Sequence, residues 1–384
     1  MNLCVITSSF PAYPEDSSAA AGLFVRDFCL ALAEQGHGVT LLTPDKLVAR
    51  KEAPAGVDVV WFGWRGGEKP LSVLKPYAPR DMLAMGSFLR RGYKTLERLH
   101  RERRFDHVLA MWAVPAGVLA ARLKRQKGVP FTTWCLGSDL WTYGRYPIFK
   151  GVVASVLRQS DLVYADGLAL GEAAEKLSGR ACTFLPSSRR INKDAAPPAI
   201  LQGDGLQILF VGRYHRVKGV DVLLEAMAQF IARGGAGHLQ AFGGGPEEAV
   251  LRRRAEQDDL RAHVSLHGFA DETTYLSHLA ACDVFVIPSR MESIPVVLSD
   301  AVQMGKPVIV TAVGDMGRLL RETPAGIVVP PEDANALADA LLEMAKCDRS
   351  QFRGAVETLA AAFDIEQTAA RWAAAAESTL SAAR

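Results

Sequence analysis

A stretch in the C-terminal half carries two carboxylates eight positions apart, Glu292 and Asp300. Glu292 follows a strand-like apolar run, Val284–Ile287, and Pro295 suits the first position of a helix. The spacing predicts Glu292 in the loop at the carboxyl end of the strand, and Asp300 about one and a half turns inside the helix. Two acids would then face one ligand region, although an acid pair taken alone is as often two solvated surface groups.

The start of the same helix predicts an anion site. Its first amides have no partner within the helix, and the positive end of the helix dipole attracts a phosphate. We assign this role to the amides near Ile294 and Val296, because Pro295 between them has no N–H to donate.

Two cations lie in a glycine-flanked loop, Arg213 and Lys218, between the predicted strand 207–211 and helix 220–233. An arginine can bind a phosphate through two N–H groups and a lysine adds a compact charge, so together they could neutralise a leaving diphosphate without a metal. The six cysteines include no Cys-x-x-Cys pair, and neither a disulfide nor a zinc site is predicted. Without the Glu292 stretch, this loop would more simply be a solvated surface.

Two common nucleotide fingerprints are missing. No Gly-x-Gly-x-x-Gly follows the first strand, where the chain reads Thr7-Ser-Ser-Phe-Pro11, and no Walker A loop is present. These absences disfavour dehydrogenases and P-loop enzymes.

The elements that must hold these loops alternate between strands and helices, which predicts an α/β fold with parallel sheets. The stretch 186–205 is polar and rich in proline and glycine, as linkers are. We therefore predict two doubly wound, Rossmann-like domains facing each other across a cleft. Their expected ranges are 1–185 for the first, 186–205 for the linker and 206–362 for the second.

Composition excludes several classes. Lys and Arg number 44 against 42 Asp and Glu, so no basic excess suggests a nucleic-acid partner. No apolar run reaches the 18–20 residues, roughly, of a membrane span. The first strand leads directly into Ser8-Ser-Phe-Pro11, without the basic flank and long apolar core of a secretion signal, so we expect a cytoplasmic protein.

Two features of the first half could form further binding surfaces. Aromatic residues in or beside loops of the first half could stack on a sugar, although most such aromatics are core residues; they are Trp112, Trp134, Trp141, Tyr143 and Tyr146. The stretch 90–104 has seven basic residues against two acids, on a helix with Phe88, Leu89, Leu96 and Leu99. Such a helix could contact the anionic inner face of a membrane, or form a solvated face.

These motifs together resemble the retaining GT-B glycosyltransferases of family four. The similar segments are Phe210-Val-Gly-Arg followed by Lys218-Gly-Val-Asp, Phe242-Gly-Gly-Gly-Pro246, Leu266-His-Gly-Phe269 and Glu292-Ser-Ile-Pro-Val-Val-Leu298. The N-terminal Ser-Phe-Pro and Gly22-Leu-Phe-Val segments are similar too, so the likeness covers nearly the whole chain. It implies that the last helix, within 363–384, crosses back onto the first domain.

The resemblance also implies residue roles. Glu292 would contact the transferred sugar, Asp300 the nucleotide ribose, and Arg213 with Lys218 the diphosphate. Further donor contacts are expected at Gly22, Gly212, Ile294, Val296 and Phe269, and acceptor-side contacts at Trp112, Gly137, Asp139 and Trp141.

The sequence departs from the family pattern at two of these places. The second acid is usually Glu, one methylene longer than Asp300, and Leu136 replaces a histidine in the loop that contains Gly137 and Asp139.

We therefore predict a metal-independent retaining transferase, with no cofactor. It would move a hexosyl group from a nucleotide diphosphate sugar to a hydroxyl of a sugar or lipid-linked glycan acceptor, in surface glycan or glycolipid synthesis. The alternatives are a catalytically degenerate relative that binds a nucleotide sugar or glycan as a partner protein, and a sugar-nucleotide epimerase or phosphorylase.

Overall fold

The computed structural model describes residues 1–13, 16, 22–67, 74, 78–193, 197–199 and 203–382. The chain divides into two compact units: unit 1 is Met1–Arg190 with Ile365–Arg384, and unit 2 is Ile191–Asp364. The division lies at Arg190, inside the predicted linker 186–205, of which residues 194–196 and 200–202 lie outside the described part.

Unit 1 contains a parallel sheet of seven strands in the order β3-β2-β1-β4-β5-β6-β7. The strands are β1 Asn2–Ile6, β2 Gly38–Pro44, β3 Val57–Phe62, β4 His107–Met111, β5 Phe131–Cys135, β6 Leu162–Ala165 and β7 Thr183–Phe184. The helices are α1 Leu23–Glu34, α2 Pro79–Arg103, α3 Ala116–Lys127, α4 Ser138–Trp141, α5 Pro147–Gln159, α6 Leu168–Ser178 and, after unit 2, α14 Ile365–Ala382.

Both faces of this sheet are covered, which explains why its strands are almost continuously apolar. Successive residues of β1 alternate between two cores: Cys4 and Ile6 pack with α2, α3 and α5, whereas Leu3 and Val5 pack with α1 and α14. Within the second core, the Trp372 ring of α14 lies 5.9 Å from the Phe28 ring of α1. The last helix is therefore part of the core of unit 1.

Unit 2 contains a parallel sheet of six strands in the order β10-β9-β8-β11-β12-β13. The strands are β8 Leu206–Val211, β9 Gly237–Phe242, β10 Val264–His267, β11 Val284–Ile287, β12 Val308–Thr311 and β13 Gly326–Val329. The helices are α7 Val220–Ala232, α8 Glu248–Ala255, α9 Glu272–Ala281, α10 Val296–Gln303, α11 Met316–Glu322, α12 Ala334–Lys346 and α13 Arg353–Ala362.

The register of unit 2 determines which loops meet. Phe285 of β11 pairs with Leu209 of β8 on one side and Val308 of β12 on the other. Because all these strands are parallel, the loops after β8, β11, β12 and β13 leave the sheet at one edge. The prediction of two doubly wound α/β domains is confirmed. This edge of unit 2 carries both the loop after β8 with Arg213 and Lys218 (the cation loop) and the loop after β11 with Glu292 (the acid loop).

Candidate functional site

Lys218 ends a short 3-10 turn, Arg216–Lys218, between β8 and α7. The Nδ1 atom of His215 accepts a hydrogen bond of 3.2 Å from the amide two residues later, and Gly219 closes the turn with a φ of 70°. A Cβ atom on Gly219 would lie 2.0 Å from the carbonyl oxygen of Pro288, just after β11. Glycine is needed here both for the left-handed backbone and for the close approach of the two loops.

Glu292 lies in the loop between β11 and α10, where the spacing predicts it. This loop rests on the one after β12: a Cβ atom on Gly314, whose φ is 53°, would lie 1.9 Å from the Glu292 carbonyl oxygen. The buried Thr311 hydroxyl also donates to the Ser289 carbonyl at 2.6 Å. The backbone of the Glu292 loop is therefore supported by the end of β12 and the loop that follows it.

The side chains of these two loops form an ion pair. Lys218 Nζ donates to Glu292 Oε2, and the two side chains are 22% and 21% exposed. The predicted diphosphate cation and the predicted sugar-side acid therefore lie together, partly shielded from water. Shielding strengthens their attraction, so any ligand that takes one partner must compete with the other.

Arg213 is the second predicted diphosphate cation, and its side chain is exposed. Among the side chains that the structure describes, none forms a hydrogen bond or ion pair with it. It stands between Gly212, whose amide donates to the Phe242 carbonyl at 3.0 Å, and the buried Tyr214. Burial raises the pKa of Tyr214 to about 12, and its neutral hydroxyl lies 2.7 Å from the Ala241 carbonyl. The Arg213 side chain is thus exposed, while the residues on either side of it are fixed to the rest of unit 2.

Asp300 is more deeply buried than the sequence suggests. The residue is 1% exposed, and its Oδ2 atom accepts a hydrogen bond of 2.9 Å from the Tyr275 hydroxyl of α9. The sequence predicted Pro295 as the first residue of the helix, and this is wrong by one position. Pro295 is instead the N-cap, in an extended conformation, and α10 begins at Val296. Asp300 therefore faces α9, and Tyr275 is a candidate residue that the sequence did not reveal.

The remaining predicted donor residues differ in exposure. Val296 is 41% exposed and Phe269 79% exposed, whereas Ile294 is half-buried. The Phe269 ring lies over Gly244, where a Cβ atom would come within 2.8 Å of it. Gly22 belongs to unit 1, at the start of α1, and a Cβ atom there would lie 2.7 Å from the Ser9 carbonyl oxygen.

In unit 1, Asp139 is a fully buried carboxyl group rather than an exposed one. Its Oδ2 accepts a 2.9 Å hydrogen bond from the Ala113 amide, and Oδ1 accepts one of 3.2 Å from the Leu140 amide. Burial raises the pKa of Asp139, and these backbone amides oppose the shift. The neighbouring Trp112, 9% exposed, has a φ of 71°, which is unusual for a bulky residue. Asp139 thus supports the backbone beside Trp112.

The other acceptor-side candidates follow β5. Gly137, with a φ of 96°, precedes the short helix α4, and Trp141 at the end of that helix is 47% exposed. Trp134 and Tyr143 are core residues, 0% and 5% exposed. Of the aromatic candidates, only Trp141 and Tyr146, which is 41% exposed, are therefore open to solvent.

The basic helix α2 differs from its sequence interpretation. Phe88 and Leu96, expected beside the charges, are fully buried in the core of unit 1. The exposed apolar residues are instead Met82 and Leu83 in its first turns, each 59% exposed. Arg103 is not free for a ligand, since it pairs with Asp58. Six cations of the stretch 90–104 are exposed, namely Arg90, Arg91, Lys94, Arg98, Arg101 and Arg104.

One further residue of the acid loop has extensive contacts that its sequence position did not reveal. The Arg290 guanidinium pairs with Asp221 and Glu332, which follow β8 and β13. The only sequence signal was its place in the motif, two residues before Glu292. Over the described ranges, no group of three or more His, Cys, Asp or Glu side chains could hold a metal ion. None of the helices in those ranges has the length and apolar character that crossing a bilayer requires.

Two protein-family models match most of the chain between them. "Glycosyl transferase 4-like domain" matches residues 20–187, in unit 1, and "Glycosyl transferases group 1" matches residues 205–347, in unit 2. The second match contains the loops of Lys218 and Glu292.

Curated relatives match over shorter segments. The putative colanic acid biosynthesis glycosyltransferase WcaL of Salmonella typhimurium is 33% identical over 160 residues, 40% of this chain and 39% of that protein. The putative teichuronic acid biosynthesis glycosyltransferase TuaC of Bacillus subtilis is 29% identical over 250 residues, 62% of this chain and 60% of that protein. The chain thus spans less than two thirds of the length of either relative.

Solved structures match over the whole chain. Sucrose-phosphate synthase of Thermosynechococcus elongatus superposes with a TM-score of 0.70 at 22% identity, covering 100% of both chains. Anabaena HepE, solved in complex with UDP, gives a TM-score of 0.69 at 16% identity, covering 98% of this chain and 100% of that one. These similarities show the GT-B fold. The two family models together place the chain in its family: it belongs to the glycosyl transferases, with a 4-like domain in unit 1 and a group 1 domain in unit 2.

Proposed function

We propose that this protein is a retaining glycosyltransferase that moves a hexosyl group from a nucleotide diphosphate sugar to a hydroxyl of a sugar or lipid-linked glycan. The observation that carries the proposal is the ion pair of Lys218 and Glu292, in which Lys218 comes from the loop that also carries the exposed Arg213. Cations for a diphosphate and an acid for sugar hydroxyls thus lie on neighbouring loops. The names of WcaL and TuaC support glycan biosynthesis, and the UDP in HepE supports a nucleotide donor.

The chemistry follows from charge development. As the bond between the sugar anomeric carbon and the phosphate oxygen breaks, negative charge grows on the diphosphate. Lys218, Arg213 and the first amides of α10 would stabilise that charge. Because the sugar becomes cationic at the same time, the carboxylate of Glu292 would stabilise it most in the transition state.

Retention is proposed to occur by front-face transfer. The acceptor oxygen forms its bond to the anomeric carbon on the face that the diphosphate leaves, and a phosphate oxygen takes the acceptor proton. The reaction as proposed requires no metal, since the two cations neutralise the leaving group.

A second candidate function is a binding protein of the same fold. Two observations favour it: Asp300 is held by Tyr275, and Leu136 occupies a position where the family usually has histidine. Such a protein would bind a nucleotide sugar and turn over none.

Thermal unfolding with nucleosides, nucleoside diphosphates and their sugars tests donor binding, because a ligand at 100 times its Kd adds about 2.7 kcal/mol of stability. Release of nucleoside diphosphate with an acceptor panel then tests transfer, and NMR of the product's anomeric centre tests retention. Binding without turnover would favour the second candidate, and stabilisation by no nucleotide would contradict both.

We also propose that the exposed basic face of α2 contacts an anionic membrane at the cytoplasmic side. Its support is the six exposed cations of the stretch 90–104 on a helix whose first turns expose Met82 and Leu83, since each cation near such a surface contributes about 1 kcal/mol. The double variant R90E/K94E should sediment less with phosphatidylglycerol vesicles, while R261E on unit 2 should not change. Binding that survives high salt, or is equal in R90E/K94E, would contradict this proposal.

A further inference from the structure

The Arg290 side chain joins three strand ends of unit 2. Its Nη1 and Nη2 atoms donate to the two carboxylate oxygens of Asp221, each at 2.7 Å, and Nε donates to Glu332 at 2.7 Å. Asp221 lies in the first turn of α7, after β8; Glu332 follows β13, and Arg290 itself follows β11. One guanidinium group therefore connects the loops after β8, β11 and β13.

Arg290 also holds the backbone of the turn that ends in Lys218. Nη1 donates to the Arg216 carbonyl at 2.6 Å, and the Arg290 amide donates to the Val217 carbonyl at 2.8 Å. These are the two residues immediately before Lys218. The backbone and the side chain of one residue thus fix the turn from which the predicted diphosphate cation extends.

The contacts suit arginine and not lysine. Two parallel bonds to one carboxylate need the planar guanidinium, which a single ammonium group cannot replace. The Arg290 side chain is 17% exposed, whereas its partners Asp221 and Glu332 are 48% and 59% exposed. The hydrogen bonds with Asp221 raise the pKa of Arg290; burial alone would raise the pKa of Asp221, but the bonds from Arg290 lower it. Both groups stay charged at neutral pH.

Glu332 reaches Arg290 from an unusual backbone. Its φ is 60°, in the left-handed region that residues with a side chain rarely adopt. Such a conformation persists where the surroundings determine it. The ion pair with Arg290 is one contact that favours this conformation of Glu332. It links the loop after β13 to the loop after β11 at the carboxyl ends of the strands.

We infer that Arg290 is a positioning residue for the diphosphate site, an inference that rests on the proposed function. When a diphosphate binds the ammonium group of Lys218, the pair between Lys218 and Glu292 is exchanged for a pair between Lys218 and phosphate. The link that Arg290 makes to Asp221 and Arg216 is unaffected by this exchange. Arg290 therefore keeps the cation loop and the acid loop in fixed positions relative to each other while the ion pair between Lys218 and Glu292 is broken.

The test compares R290A and R290K with R254A. Arg254 is a matched control because its guanidinium also bridges two carboxylates of unit 2, those of Glu225 and Asp259, but lies on α8. Calorimetry should measure the affinity for a nucleoside diphosphate and for its nucleoside in each variant. The ratio of the two affinities reports the phosphate contacts, which a general loss of stability would not change.

We expect both Arg290 variants to lose about tenfold or more in that ratio, the effect of a lost charge-assisted hydrogen bond, while R254A keeps it. D221N should reduce the ratio as well, which keeps the test valid if R290A does not fold. A ratio unchanged in R290K and D221N would overturn the inference. A wild-type protein with no preference for the diphosphate would instead contradict the proposed function.

Discussion

The ammonium group of Lys218 donates a hydrogen bond to the carboxylate of Glu292, joining the loop after β8 to the loop after β11. Each partner is the residue that the sequence predicts for a different part of a donor substrate. The proposed phosphate cation is therefore paired with a carboxylate of its own chain. Under the proposed function, binding of a diphosphate would exchange one anion for another at Lys218 and would release Glu292 toward the sugar.

Replacing Lys218 with Ala should weaken nucleoside diphosphate binding while leaving the nucleoside unaffected. A bond to a charged group contributes about 1.5–3 kcal/mol, so the diphosphate should bind roughly 10- to 100-fold more weakly. Titration calorimetry measures both affinities, and R216A, an exposed arginine in the same turn, is the control. Equal losses for nucleoside and diphosphate would mean that Lys218 does not contact phosphate.

Substituting Gln for Glu292 should separate binding from turnover. The amide keeps the size but lacks the charge, so kcat should fall by about two orders of magnitude or more if the acid stabilises the cationic sugar. The affinity for the diphosphate should stay equal or increase, because in E292Q the ammonium group of Lys218 does not have to break an ion pair with residue 292 in order to bind phosphate. Steady-state kinetics and calorimetry of E292Q, beside the surface control E256Q, check both expectations. Unchanged kcat would remove Glu292 from the reaction.

The buried pair of Tyr275 and Asp300 gives a third prediction. D300A should weaken both nucleoside and diphosphate by about 1.5–3 kcal/mol if Asp300 binds the ribose. Y275F removes only the hydroxyl that orients the carboxylate, so a smaller loss of nucleoside affinity is expected. If D300A lowers the melting temperature but leaves nucleoside affinity intact, Asp300 serves only to hold α9 on α10.

His107 should make unit 1 less stable in acid. Burial lowers its pKa from 6.5 to about 4, with a smaller opposing effect of Asp161. Because the unfolded chain takes up the proton first, the free energy of unfolding should fall as the pH decreases from 6.5 to 4, by about 3 kcal/mol. Urea unfolding of wild type and H107Q across this range isolates the effect. Identical slopes in the two proteins would show that His107 does not titrate in this way.

The features predicted best from sequence were those with a local signal. The Val284–Ile287 strand and the loop position of Glu292 follow from an apolar run and a downstream proline, and both are observed. The alternation of strands and helices sufficed for the α/β class, because parallel sheets need a crossover helix after nearly every strand. These inferences used only neighbours along the chain.

The features that were missed depend on distant parts of the chain. The strand β13 and the loop with Glu332 were not predicted, so nothing pointed to a partner for Arg290, which lies 42 residues away in sequence. The burial of Phe88 and Leu96 likewise depends on which side of α2 meets the sheet, and charges on the opposite side do not reveal it. The burial of Asp139 could not be predicted from its neighbours in sequence, and it changes the interpretation of this residue from an acceptor-side contact to a support for the backbone beside Trp112.

The position of Trp372 has a consequence for synthesis of the chain. This ring is fully buried in the core of unit 1, against residues of α1 and β4, and Glu366 on the same helix pairs with Arg190. During translation, the whole of unit 2 leaves the ribosome before α14 does. The first sheet therefore cannot bury the apolar surface that α14 covers until the residues after unit 2 have been synthesised.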